Sequence, residues 1–111
     1  MHEPGITRNI VAIVGDAAKG RRVTRVTLDV GDLSGILADS IAFCFDVVAK
    51  GTALDGARLD IRRIAGRAKC QDCGADFATL TLYQPCACGS RKLHRLSGEE
   101  LKIRDMELES A

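Results

Sequence analysis

The sequence has no tryptophan, three phenylalanines, one tyrosine and two prolines among 111 residues, and its charges nearly cancel at +1. Each shortage excludes something. With aromatics confined to Phe43, Phe45, Phe77 and Tyr83, the interleaved stacking and basic residues of a single-strand nucleic-acid binder are missing. A chain this close to neutral also makes no global field to attract polyanions. The longest apolar run near the start, Ile10 to Val14, is far too short to cross a bilayer. The opening residues Met1-His2-Glu3-Pro4-Gly5 hold neither the basic nor the apolar stretch of a secretory leader, so a cytoplasmic, reducing setting is expected. Finally, no nucleophile and base pair and no phosphate-binding glycine loop can be read, so the chain is not read as an enzyme.

What remains is a hydrophobic content of 46%, enough for one small core, and an odd count of five cysteines. Ile6, Ile10, Ile13, Val14 and Ala17 recur at helical spacing, which predicts a helix from about Pro4 to Lys19, stopped at Gly20. The period then drops to two: Val26, Leu28 and Val30 alternate with Arg25, Thr27 and Asp29, a half-buried strand ending at Gly31. Helical spacing returns with Leu37, Ile41, Cys44, Phe45 and Val48, and Gly51 can close that helix in a left-handed conformation. On this stripe Cys44 reads as a packed, inert thiol. A second strand carries Ala57, Leu59 and Ile61 on one face and slips phase at Arg62-Arg63. A last strand, Leu101 to Leu108, slips at Arg104-Asp105. Strands that slip alike are expected to be paired neighbours sharing a bulge. The fold class is therefore α+β: two helices on a three-stranded mixed sheet, with an inserted four-cysteine, zinc-ribbon-like domain. The expected boundaries are residues 1–69 plus 95–111 for the first unit and 70–94 for the insert.

That insert carries the clearest chemistry. Cys70-Gln71-Asp72-Cys73-Gly74 and Cys86-Ala87-Cys88-Gly89 can each form a tight turn whose thiolates point at one centre. Four sulfurs set tetrahedrally select zinc, with iron as the all-thiolate alternative. Such a closed site leaves no position for water, so the metal reads as structural. The segment has few apolar groups, and metal binding would supply its folding free energy. His94 is the one other side chain nearby that could serve as a ligand in place of Cys88.

At the other extreme of the chain, the Met1 amine, the His2 amide and imidazole and the Glu3 amide offer four nitrogens in a plane, a donor set suited to Ni(II) or Cu(II). Pro4 does not interfere, because the amide it lacks is its own.

These parts, taken in order, resemble a known family. Met1-His2-Glu3, the helix holding Ile10-Val11-Ala12-Ile13-Val14, the strand Val26 to Val30 with Gly31-Asp32-Leu33-Ser34, Phe43-Cys44-Phe45-Asp46, Gly51-Thr52, Gly56-Ala57-Arg58-Leu59, both cysteine pairs and Glu99-Glu100-Leu101 are similar to the HypA/HybF family over essentially the whole chain. The resemblance implies a nickel metallochaperone for hydrogenase maturation. It implies nickel ligation at His2 with Met1, Glu3 and neighbouring backbone, and zinc at Cys70, Cys73, Cys86 and Cys88. The implied partners are a HypB-type GTPase and the precursor of the [NiFe]-hydrogenase large subunit, and some members also supply urease. No nucleic acid and no membrane are implied as partners. Two features depart from the family pattern: Pro4-Gly5 replaces a larger apolar residue and serine, and Cys86-Ala87-Cys88 is one residue shorter than the usual pair. The competing reading is a zinc-ribbon regulatory or interaction module without nickel transfer, touching nucleic acid through Arg91, Lys92 and Arg95.

Overall fold

The computed structural model describes residues 3–110, the side chain of Glu3 excepted. The element order is α1 (Glu3–Ala18), β1 (Val23–Gly31), α2 (Ala38–Val48), β2 (Arg58–Ile64), β3 (Gly66–Cys70), β4 (Asp76–Thr79), β5 (Leu93–Ser97) and β6 (Leu101–Leu108). Two three-stranded sheets result, ordered β2-β1-β6 and β4-β3-β5.

The first sheet is mixed, as expected: β1 lies in the centre, parallel to β2 and antiparallel to β6. Its central place follows from its sequence, because β1 is the one strand whose residues Val26 to Gly31 are all buried. Val26, Leu28 and Val30 face the two helices, which contribute Ile10, Val11, Val14 and Ala18 from α1 and Ile41 and Phe45 from α2. Leu54, fully buried in the connection before β2, completes this core. The helical stripes run slightly differently from the expected ones. Ile13, Ala17 and Leu37 are exposed while Val11 and Ala18 are buried, and Cys44 is only half-buried on the flank of α2. Helix α1 ends at a left-handed pair, Lys19 at φ 53° and Gly20 at φ 83°, which turns the chain into β1.

One expectation is corrected. β2 and β6 are not neighbours; they flank β1 on opposite sides. The β1–β2 ladder runs through Arg62 and Arg63 without a shift, whereas the β1–β6 ladder shifts between Thr27 and Leu28, leaving Arg104 as an extra residue. The slip in β2 therefore has another cause. Arg63, opposite Val30, is an exposed edge residue on the helix side of the sheet, so a cation there costs nothing in burial.

The helix-free face of the sheet is charged. Asp29 on β1 is bracketed by Arg62 of β2 at 3.7 Å and Arg104 of β6 at 3.3 Å, and its own side chain is only 11% exposed. Arg25 reaches Glu107 at 3.4 Å across the same face.

The second sheet runs antiparallel through β3, with β4 on one side and β5 on the other. It meets the first at a glycine joint. The Leu33 amide donates to the Gly98 carbonyl at 2.7 Å and the Asp32 amide to the Ile64 carbonyl at 2.9 Å, holding the β1 end against both chain crossings. Among the described residues, no helix is long and apolar enough to cross a membrane.

Candidate metal centre

Cys70 is the last residue of β3, and the turn that follows brings Cys73 back beside it. The Gly74 amide donates to the Cys70 carbonyl at 2.9 Å and the Cys70 amide to the Ala75 carbonyl at 2.8 Å. Gly74, at φ 78°, makes that reversal without steric cost. The second pair sits in a matching turn before β5. There the Cys86 amide donates to the Ser90 carbonyl at 3.0 Å, the Gly89 amide to the Cys86 carbonyl at 2.8 Å, and Gly89 holds φ 90°. Two links fasten one turn to the other: the Gln71 amide donates to the Lys92 carbonyl at 2.8 Å, and the Ser90 hydroxyl to the Asp72 carboxylate at 2.5 Å.

The four sulfurs consequently converge, all within 4.8 Å of one another. Cys70 Sγ lies 3.7 Å from Cys88 Sγ, and Cys73 Sγ lies 3.6 Å from Cys86 Sγ. A tetrahedron with metal to sulfur bonds of about 2.3 Å has edges of about 3.8 Å, so these separations fit a four-thiolate zinc site. The single residue between Cys86 and Cys88 does not prevent closure. It directs Cys88 across the cluster to Cys70 and Cys86 across to Cys73. Cys70 and Cys86 are buried, and Cys73 and Cys88 are exposed.

Without a cation the four groups differ as acids. Amide hydrogen bonds from Cys73 first and also Asp72 hold the Cys70 thiol down at about 6, against the opposing effect of burial. Cys73 and Cys88 go the other way. The amides of Ala75 and Ser90 favour their respective thiolates, yet the surrounding thiols, Cys86 foremost, push Cys73 up and push Cys88 up to about 12. Thiolates this close cannot all be charged together unless a cation joins them. Chemically, the cluster is a site for a soft divalent metal.

Other candidates are placed differently. His94 is exposed on β5 and does not join the cysteine cluster. Of the three cations considered for nucleic acid, two are turned onto the module's own loop. Arg91 donates to the Tyr83 carbonyl at 3.2 Å, and Arg95 to Thr79 Oγ1 at 2.6 Å and the Leu82 carbonyl at 3.2 Å. That loop-organising role was not legible in sequence, because two of the acceptors are backbone carbonyls and the third, Thr79 Oγ1, lies 16 residues from Arg95 along the chain. Met1 and His2 lie outside the described residues, and Glu3 is described only as the first backbone position of α1.

A family model for hydrogenase/urease nickel incorporation, the HypA metallochaperone, matches residues 1–108. This chain belongs to the HypA family. The hydrogenase maturation factor HypA of Rippkaea orientalis is 54% identical over 110 residues, spanning 98% of this chain and 96% of that protein. The corresponding HypA of a Nostoc species is 52% identical over 109 residues, again 98% and 96% of the two chains. Among solved structures, that of the nickel metallochaperone HypA from Helicobacter pylori superposes with a TM-score of 0.69, covering 97% of both chains at 24% identity. A second HypA solution structure gives 0.72, covering 97% of this chain and 96% of that one at 23% identity. At such identities the likeness establishes the HypA fold, two helices on one sheet with a second, cysteine-bearing sheet.

Proposed function

We propose that this HypA-family chain is a nickel carrier for hydrogenase maturation, cytoplasmic and non-catalytic, with a resident zinc ion that shapes its second sheet. The observation carrying the proposal is the family match, which begins at residue 1 and so includes the Met1-His2-Glu3 donors. In this reading the amine of Met1, the amide and imidazole of His2 and the amide of Glu3 hold Ni(II) in a plane, a geometry that nitrogen donors favour for this ion. Such a site also releases its cargo readily, since protonation of the amine or imidazole opens it.

Cys70, Cys73, Cys86 and Cys88 would hold zinc, which supplies a fixed, closed cross-link and no reactive position. The nickel unit then comprises residues 1–69 and 95–111. Residues 70–94 form the inserted metal module, with β3 and β5 as the strands that carry it. A HypB-type GTPase and the precursor of the [NiFe]-hydrogenase large subunit are the proposed partners, with urease as a second possible destination for the nickel. A nucleic-acid role is disfavoured because Arg91 and Arg95 are engaged by the loop they support.

The test is a nickel titration of three forms: the native chain, His2→Ala, and a chain extended before Met1. Binding by the native chain alone supports the terminal site. Equal binding by all three refutes it.

A further inference from the structure

Between β4 and β5 the chain leaves its sheet for the loop Leu80-Thr81-Leu82-Tyr83-Gln84, just before the second cysteine turn. This loop holds its apolar side chains outward: Leu80 is 86% exposed, Tyr83 is 81% exposed, and Leu82 is exposed as well. A loop free to move would fold such groups against the neighbouring sheet. Here side chains fix the backbone instead. Gln84 Oε1 accepts the Leu80 amide at 2.8 Å, Arg91 donates to the Tyr83 carbonyl at 3.2 Å, and Arg95 donates to the Leu82 carbonyl at 3.2 Å and to Thr79 Oγ1 at 2.6 Å. Thr79 is buried, so the last of these bonds anchors the loop in the body of the module.

Against the loop lies a cavity of about 250 Å³ lined by Leu82, Tyr83, Gln84, Arg91, Leu93 and Arg95. Its walls combine leucine and tyrosine surface with two guanidinium groups, and the charge around it has one sign. From Phe77 to Ser97 the sequence has no aspartate or glutamate, while Arg91, Lys92 and Arg95 are cations. None of the three joins an ion pair among the described residues. The acceptors that Arg91 and Arg95 meet in the loop are neutral. A guanidinium has five N–H donors, so both arginines keep their charge and spare donors for an anion.

We propose that this face of the metal module docks an acidic segment of another protein, with an apolar side chain of that segment seated in the cavity and a neighbouring carboxylate held by Arg91 and Arg95. Leu80 and Tyr83 extend the contact beyond the cavity, over more surface than a free small carboxylate would cover. Burial of the apolar groups drives association, and hydrogen bonds from arginine to carboxylate set the register. A polynucleotide fits this face less well, because Tyr83 is its one exposed aromatic ring and successive bases need successive rings. The loop's fixed shape contributes too, since a surface ordered before binding loses little conformational freedom on association. None of this depends on nickel at the amino terminus.

The experiment is amide chemical-shift mapping of the zinc-loaded full chain, without nickel, against three short peptides. One is built of glutamate and leucine, the second has lysine in place of glutamate, and the third has serine in place of leucine. The first is expected to bind and to shift Leu80 to Gln84, Leu93 and Arg95, and the other two to bind about tenfold more weakly or less. Added salt should weaken the binding, because it screens the carboxylates from the arginines. The double variant Leu80→Ser, Tyr83→Ser removes only exposed side chains, so its zinc stoichiometry and sheet resonances should stay native while its affinity falls about tenfold. The proposal is overturned if the first peptide leaves the loop unshifted, if the double variant binds it as the native chain does, or if a thymidine oligonucleotide shifts the same residues at lower concentration. Loop shifts that follow the concentration of the chain alone would assign the face to a second copy and overturn it as well.

Discussion

A methyl group added at Gly31 would sit 2.0 Å from the carbonyl oxygen of Gly98. Gly31 closes β1 and Gly98 lies between β5 and β6, so this contact is where the two sheets meet. Gly98 itself holds φ 114° with Gly66 packed against it, its Cβ position 2.7 Å from the Gly66 Cα. Three glycines thus let three backbone segments touch where any side chain would force them apart.

Gly31→Ala is expected to cost about 3 kcal/mol, because the obstruction is backbone and cannot rotate aside. Gly20→Ala is the control. It has a left-handed φ of 83° but open space around it, and should cost only about 1 kcal/mol. Urea denaturation of both variants measures the difference, and equal losses would show that the joint is not tightly packed.

Phe43 and Phe45 separate packing from composition. They are two residues apart on α2, yet Phe45 is 2% exposed and Phe43 is 78% exposed. Phe45→Ala should lose about 3–5 kcal/mol as a large cavity opens beneath the helix, and Phe43→Ala should stay within about 0.5 kcal/mol of the native chain. Comparable losses would contradict this orientation of α2.

Metal removal should act locally. The core of Ile10, Val14, Leu28, Ile41, Phe45 and Leu54 contains no cysteine from the cluster. A strong chelator, or Cys70→Ser, is therefore expected to abolish exchange protection in β3, β4 and β5 while the helical circular dichroism of α1 and α2 persists. Complete loss of the helical signal would mean that the sheets fold as one unit.

Metal loading should depend on pH in a stated direction. At neutral pH the Cys70 thiol, held at about 6, is mostly ionised, while Cys73 and Cys88, pushed up, keep their protons. Loading must displace those protons, so zinc affinity rises with pH, and it falls more steeply once pH drops below about 6 and Cys70 is protonated as well. Calorimetry in buffers of different ionisation enthalpy counts the released protons, and an affinity independent of pH would contradict the assignment.

Much of the fold is legible in the sequence because side-chain period reports which face of an element is buried. The alternation of Val26, Leu28 and Val30 and the stripe of Ile41 and Phe45 are local patterns, and the structure keeps them. Strand partnership is not local. The phase slips at Arg62-Arg63 and Arg104-Asp105 look alike, yet one is an exposed edge and the other a bulge. The second sheet escapes notice for a different reason. β3 is Gly66-Arg67-Ala68-Lys69-Cys70, whose buried residues are glycine, alanine and a cysteine, so its alternation leaves no hydrophobic signal.

The sequence by itself determined the cysteine pairs, the terminal histidine and the family, since spacing and order along the chain carry that information. Tertiary structure decided which sulfurs face each other and that β1 lies between β2 and β6, with β6 at the edge of the sheet. Those relations depend on contacts between residues far apart in the chain, where packing and backbone hydrogen bonding, and not local pattern, select the partner.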